Sequence, residues 1–158
     1  MTGEPQPIVI YVDADACPVK EETYRVAARY KVPTVVVANQ PIFVPRDPGI
    51  ERVLVPSGPD VADDWIAAHA RKGTIVITAD VPLADRCIKA GAEVIGPSGR
   101  RFTAASIGSD LAMRNLLSDL RSAGETTRGP KPFTPKQRSD FLQVLDRAVV
   151  GLKRLGFS

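Results

Sequence analysis

Short apolar runs alternate with amphipathic stretches along the first two-thirds of the chain. The runs are IVIYV before Asp13, TVVVA at 34–38, RVLVP at 52–56, TIVIT at 74–78 and EVIG at 93–96. Their length and β-branched content are typical of strands buried in a parallel sheet. Between them, a spacing near 3.6 predicts helices over residues 19–30, 61–71 and 83–90. The alternation predicts an α/β fold, an open and mostly parallel sheet of about five strands flanked by helices, with ligands at the carboxyl ends of the strands.

The pattern changes after Gly96. The segment GPSGRRFT predicts a turn-rich connector, and two additional C-terminal helices follow it. Ser109 can cap the first helix and Gly124 can end it, whereas Thr134 and Pro135 form a good N-cap and first-turn pair for the second. The predicted buried stripe of the last helix consists of Phe141, Leu142, Leu145, Ala148, Val149, Leu152 and Leu155.

Size and composition favour one soluble globular domain. The 158 residues suit a single domain, with a core at about 8–96 and the connector and C-terminal helices at about 97–156. The segment MTGEPQP lacks the features of a signal peptide, and no apolar run approaches the roughly 18 residues that span a bilayer. Two cysteines are too few for a disulfide framework. We therefore expect a cytoplasmic protein.

The net charge of +3 is unevenly distributed. Residues 1–98 carry 10 Lys and Arg against 13 Asp and Glu, whereas residues 99–158 carry 11 against 5. An acidic cluster for cations beside a basic surface for phosphates would suit a metal-dependent enzyme that acts on nucleic acid. Charged surface helices explain the same counts equally well.

Several aspartates follow predicted strands. Asp13 closes the first strand with Asp15 in the next turn, Asp80 follows TIVIT, and Asp63 and Asp64 begin a helix after the third strand. In a parallel sheet these side chains would lie at one edge. Clustered carboxylates repel one another unless a divalent ion neutralises them, and hard oxygen ligands favour Mg²⁺ or Mn²⁺.

Helix capping is the simpler alternative for most of these aspartates. Asp15, Asp80, and either Asp60 or Asp63 could each cap the helix that follows, because Asp is a preferred N-cap residue. Asp13 fits that explanation poorly, since an acid directly after a buried strand incurs a desolvation cost.

Other reactive side chains favour structural roles. Cys17 precedes a helix, but no arginine stands six residues later as in a phosphatase loop, so we predict a packed thiol. His69 is the only histidine and lies in a polar helix segment, which leaves Ser/His or Cys/His catalysis without a base. We predict that Trp65 anchors the core.

Five basic residues are candidates for phosphate binding. They are Lys20, Arg100, Arg101, Arg114 and Lys131, and the two consecutive arginines lie in a glycine-containing turn whose N–H groups could also bind an anion. The segment GPSGRR lacks the Lys-Ser/Thr ending of a P-loop.

A family resemblance covers about residues 8–141. The segments VDADACPVKEE, VANQ, VADDWI, TIVITADVPLADRCIKAGA, SGRRFT, LAMR and GPKPFT resemble the bacterial YaiI/YqxD family, which is grouped with the PIN-like nucleases. That group places one Asp after the first strand, an acid in a middle helix and an Asp after a later strand. Asp13, Asp63 or Asp64, and Asp80 match these positions, whereas the usual fourth acid has no clear counterpart. The closest substitute, Asp85, is expected to face away.

The resemblance implies a PIN-like fold and a Mg²⁺- or Mn²⁺-dependent nuclease that acts on RNA. Asp13 and Asp80 would be direct ligands of the ion, and Asp63 a direct or water-mediated one.

Four further residues would support this site. Asp15 and Lys20 would position water or phosphate, and Thr78 and Asn39 would orient the carboxylates by hydrogen bonds.

Two other functions stay open on the sequence. A haloacid dehalogenase-like phosphatase would use Asp13 as the nucleophile, Asp15 as the second acid of its DxD signature, and Asp80 with Asp85 as its late acid pair. A non-catalytic nucleic-acid or protein-binding member with a decayed site is the third reading.

Overall fold

The structure is a computed structural model that describes residues 6–14, 17–122 and 133–158. Its centre is a six-stranded sheet of order β3-β2-β1-β4-β5-β6, in which only β6 runs antiparallel to its neighbour. The strands are β1 (Val9–Asp13), β2 (Thr34–Ala38), β3 (Ile50–Leu54), β4 (Thr74–Ile77), β5 (Glu93–Ile95) and β6 (Arg101–Phe102). The predicted α/β class and mostly parallel sheet are confirmed.

Helices cover both faces of the sheet. They are α1 (Lys20–Tyr30), α2 (Val61–His69), α3 (Val81–Lys89), α4 (Ile107–Ser122) and α5 (Pro135–Arg154). Because successive strand side chains point to opposite faces, Ile10 and Val12 pack in the core that contains residues of α1 and α5, whereas Tyr11 packs in the core under α2 and α3. No helix within the described ranges is long and apolar enough to cross a membrane.

The connector after β5 differs from its prediction. Residues 101–102, expected in a turn, form the short strand β6 beside β5. Ser109 does not cap α4, because that helix already begins at Ile107. Thr103 and Ser106 instead exchange reciprocal hydrogen bonds just before it, since each backbone N–H donates to the hydroxyl of the other residue. The predicted stop at Gly124 lies outside the described residues.

The last helix begins as predicted. Thr134 accepts a hydrogen bond from the backbone of Gln137, whose side chain accepts one from the backbone of Thr134, so the two form a capping box with Pro135 in the first turn. Most of the predicted stripe is buried. Leu142 is only partly buried, and Leu155 is 75% exposed because α5 ends at Arg154 and Leu155 follows as its C-cap.

The strand order creates a switch point between β1 and β4. From β1 the chain proceeds through α1 to β2 on one side, and from β4 it proceeds through α3 to β5 on the other. The loops after β1 and β4 therefore diverge and leave a crevice at the carboxyl ends of these two strands, where open α/β sheets bind ligands.

Candidate metal centre

An acidic cavity of about 480 Å³ lies at this crevice. Its lining includes Asp13 from the end of β1, Asn39 after β2, Asp63 from the first turn of α2 and Asp80 after β4. Carboxyl groups from three distant segments thus share one cavity because the parallel sheet brings the carboxyl ends of its strands together.

Thr78 connects the two central strands of the site. Its hydroxyl donates to Oδ2 of Asp13 at 2.9 Å and accepts from the backbone N–H of Asp80 at 3.0 Å. Asp13 is only 6% exposed. The hydroxyl therefore holds a buried carboxylate in place and fixes the loop that carries Asp80, which is the kind of support that positions metal ligands.

Asp80 caps α3 and lines the cavity at the same time. Its Oδ1 accepts from the backbone N–H of Leu83 at 2.9 Å, which is an N-cap interaction. The cap uses one of the two carboxylate oxygens. Capping and ion binding are therefore compatible in this residue rather than alternatives.

The carboxyl group of Asp63 has a strongly raised pKa. The pKa of Asp63 is raised from 3.8 to about 6, and burial is the largest cause. The negative charges of Asp80, Asp13 and Asp60 contribute to this rise, while Arg86 opposes it. The cavity accumulates enough negative charge to favour a proton, or a cation, at this position.

The raised pKa of Asp63 makes stability depend on pH in a defined direction. The folded protein binds this proton more tightly than the unfolded chain, so the ionised carboxylate costs stability as pH rises from about 4 through about 6. In chelator, we expect Asp63→Asn to melt higher than wild type at pH 8 and within error of it at pH 3.5. Melting curves across pH test this, and a constant difference at all pH values would contradict it.

The donors of the cavity suit Mg²⁺ or Mn²⁺ chemically. Carboxylates and the carboxamide oxygen of Asn39 are hard ligands. Within residues 6–14, 17–122 and 133–158, no three His, Cys, Asp or Glu side chains form a ready-made ligand set. Mg²⁺ usually keeps several waters and takes one or two carboxylates, so the cavity fits an ion bound in that way.

A comparison with known proteins gives the family. The family model described as "Uncharacterized BCR, YaiI/YqxD family" matches residues 11–151. The chain belongs to the YaiI/YqxD family. No solved structure matches it.

Curated relatives of this YaiI/YqxD chain extend over nearly its whole length. It is 61% identical over 158 residues to the "UPF0178 protein" of Azorhizobium caulinodans, covering 100% of this chain and 99% of the relative. It is 58% identical to the "UPF0178 protein" of Brucella ovis over 158 residues, with 99% and 98% covered. The relative from Bradyrhizobium diazoefficiens, "UPF0178 protein bll3966", is 59% identical over 148 residues, with 94% and 89% covered. These names assign no activity.

Asp64 does not line the cavity of this YaiI/YqxD protein, contrary to our expectation. Its side chain is 65% exposed, and its Oδ1 accepts from Nη1 of Arg86 at 2.7 Å. Consecutive helix residues point about 100° apart, so Asp63 and Asp64 cannot both face the crevice. Asp15 lies outside the described residues, as does Lys131.

Lys20, Arg100, Arg101 and Arg114 are not among the residues that line the acidic cavity. Nζ of Lys20 donates to the carbonyl of Cys17 at 2.9 Å. Arg100 pairs with Asp110, and Arg101 pairs with Glu93 at 2.7 Å. The two consecutive arginines are therefore already partly neutralised by acids of their own chain, and Arg114 lines a separate cavity with Arg100. Phosphate binding by these residues stays a prediction.

Three side chains with predicted structural roles are placed as follows. Cys17 is buried, and burial raises the pKa of its thiol to about 11, which suits a packed and unreactive group. Trp65 packs against the core, with its ring edge-on to Tyr11. His69 is exposed, stacks on Trp65 at 3.7 Å between ring centroids and contacts the Trp65 carbonyl through Nδ1.

Sequence analysis missed Asp60 as a member of the site. Asp60 precedes α2 in a left-handed conformation, with no side-chain cap bond, and lines the acidic cavity. The sequence indicated only a capping role for Asp60, because Asp is a preferred residue directly before a helix. Its contribution to the pKa of Asp63 shows that its charge acts on the cavity.

Proposed function

We propose that this chain is a metal-dependent phosphodiesterase of the PIN-like type that acts on RNA. One observation carries the proposal: aspartates from three separate segments line a single cavity at the β1/β4 switch point, and their mutual repulsion helps to keep a proton on Asp63 up to about pH 6. Such a cavity holds unfavourable negative charge until a cation enters it.

Each side chain has a distinct part in the proposed reaction. Asp13 and Asp80 bind the ion, with Asp13 oriented by the Thr78 hydroxyl. A bound Mg²⁺ or Mn²⁺ ion would supply an activated water and stabilise charge on the phosphate oxygens. Asp63, whose pKa of about 6 lies close to neutral pH, is suited to accept a proton from that water or to bind the ion through it.

The haloacid dehalogenase-like alternative is weaker in the structure. That mechanism needs a second late acid close to the nucleophile Asp13. Asp85 accepts from Nζ of Lys89 at 2.9 Å along α3 and is not among the residues lining the acidic cavity. Detection of a covalent aspartyl-phosphate would nevertheless favour this reaction over the proposed one.

The decisive assay compares substrate classes. Purified protein is incubated with single-stranded RNA, single-stranded DNA and a phosphomonoester, each with Mn²⁺ and with chelator. We expect RNA cleavage that requires Mn²⁺. Turnover of the monoester alone would contradict the proposal, and so would RNA binding without turnover that Mn²⁺ leaves unchanged, which is the behaviour of a non-catalytic member.

Melting curves of Asp80→Asn test ion binding without relying on activity. Asn caps a helix about as well as Asp, so the N-cap of α3 is retained. Loss of one charge beside Asp63 and Asp13 relieves about 1 kcal/mol of repulsion, so we expect the metal-free variant to melt about 3 °C above wild type. Excess Mn²⁺ should reduce or reverse this difference, because the variant has lost a ligand. Equal Mn²⁺-induced shifts in both proteins would show that Asp80 does not bind the ion.

A further inference from the structure

A second cavity lies next to the acidic one. Its volume is about 270 Å³, and it is lined by Val81, Arg100, Asp110, Met113, Arg114 and Leu117. Asp80 lines the acidic cavity and Val81 lines this one, so adjacent residues of the chain join the two. We call it the Asp110 cavity.

Asp110 leaves one hydrogen-bonding atom unused in this cavity. Its side chain is only 7% exposed, and its Oδ1 pairs with Nη2 of Arg100. Its Oδ2 is buried and has no hydrogen-bond partner within the described part of the chain. Buried carboxylate oxygens are normally paired, because an unsatisfied one loses its hydration without compensation. Oδ2 therefore requires a hydrogen-bond donor that these residues do not supply.

We propose that the Asp110 cavity binds a guanine base of an RNA whose neighbouring phosphate occupies the acidic cavity. This inference rests on the proposed function. An ionised Asp only accepts hydrogen bonds, and the Watson–Crick edge of guanine presents two adjacent donors, N1–H and the N2 amino group. Uracil presents a single N–H between two carbonyl oxygens, and these oxygens would repel the carboxylate of Asp110.

The other lining residues suit the rest of a nucleotide. Val81, Met113 and Leu117 provide apolar surface for the faces of a base. Arg114 and Arg100 provide guanidinium groups that can stack on a base or pair with a phosphate, as in single-strand recognition. The Asp110 cavity thus combines a hydrogen-bond acceptor, apolar walls and positive charge, and Val81 of its lining directly follows Asp80 of the acidic cavity.

The carboxylate is accessible to a ligand through side-chain movement. Arg100 and Met113 are each 57% exposed, and both side chains are long and flexible. We expect a base to reach Oδ2 by displacing these two side chains.

Titration with mononucleotides tests the cavity without metal or cleavage. ¹⁵N-labelled protein in chelator is titrated with 5′-GMP, 5′-IMP and 5′-UMP, and the amide signals of Val81, Met113 and Leu117 are followed by NMR. We expect GMP to shift these signals and to bind about fivefold more tightly than IMP, which keeps N1–H but lacks the amino group. Equal affinities for all three nucleotides, as expected if a water molecule satisfies Oδ2, would overturn the proposal.

Two matched variants test whether the preference for GMP depends on Asp110. Asp110→Asn exchanges one oxygen for an N–H₂ donor and should reduce GMP affinity about tenfold and abolish the preference over IMP. Asp119→Asn makes the same change at an exposed position of α4 and should leave the GMP affinity and the preference for GMP over IMP unchanged. A preference that survives Asp110→Asn would contradict the proposal. If Asp110→Asn fails to fold, the wild-type comparison of GMP with IMP still decides.

The test of guanine binding and the test of RNA cleavage can fail independently of each other. A protein that cleaves RNA with Mn²⁺ but binds all three nucleotides equally retains the nuclease and loses the guanine subsite. A protein that prefers GMP at the Asp110 cavity but cleaves nothing retains the base-binding cavity and loses the nuclease, so the RNA contact would then serve binding alone.

Discussion

Asp13→Asn is expected to reduce Mn²⁺-dependent RNA cleavage by at least about a hundredfold, because it removes one of the two direct ion ligands that we propose in the acidic cavity. The Asn oxygen can still accept from the Thr78 hydroxyl, so the local structure should be kept. The measurement is the initial rate on a fluorescent single-stranded RNA over a range of Mn²⁺ concentrations, with the melting temperature recorded for each preparation.

Asp64→Asn is the matched control for Asp13→Asn. It removes the same charge from an exposed side chain that pairs with Arg86 outside the cavity. We expect its rate to stay within about twofold of wild type, as for an ordinary surface substitution. If Asp13→Asn keeps wild-type activity, the cleavage comes from a contaminant or another site. If both variants lose activity equally, the acidic cavity is not the site of cleavage.

Phe141→Ala should reduce the free energy of unfolding by about 3 to 5 kcal/mol, which is the cost of truncating a fully buried aromatic side chain. Phe141 lies in the first half of α5, is completely buried and belongs to the core that also includes Ile10 and Val36. Its removal leaves a cavity between α5 and the sheet. Urea denaturation in chelator, analysed with a common slope, measures the change.

Leu155→Ala serves as the comparison for Phe141→Ala. Leu155 is also a large apolar residue of the C-terminal segment, but it is mostly exposed beyond the end of α5. Its truncation should change stability by less than about 0.5 kcal/mol. Similar losses in the two variants would mean that α5 does not pack on the sheet through Phe141.

Most of the sheet is predictable from sequence because its central strands β1, β2 and β4 are almost entirely buried. Runs such as those at 34–38 and 74–78 are apolar except for threonines at their ends, a pattern that is typical of a central strand. β6 escapes prediction because a two-residue strand has no periodicity, and its pairing with β5 depends on the turn between them. The start of α4 escapes for a similar reason: Thr103, Ser106 and Ser109 all suit a cap, and only the three-dimensional path selects among them.

For the candidate site, the sequence predicts the aspartates that lie at the ends of strands. Asp13 ends β1 and Asp80 follows β4, and the parallel arrangement alone places them at one edge of the sheet. Which of Asp63 and Asp64 faces the cavity depends on how α2 is rotated about its axis. The sequence does not predict that rotation, because this nine-residue helix has apolar residues on more than one side. Asp110 carries no sequence signal at all, since a lone acid in the first turn of a helix is ordinary and only burial makes it exceptional.

The position of α5 has a consequence for synthesis on the ribosome. One face of the sheet is covered by α1 and α5, yet α5 ends at Arg154, about 60 residues after the last residue of β5. At about 5 to 20 residues per second, that face remains open for roughly 3 to 12 s after the parallel strands have emerged. The opposite face is covered by α2 and α3 and can close earlier. A nascent chain that pauses in this interval presents a broad apolar surface, which exposes it to chaperone binding and to aggregation with neighbouring chains.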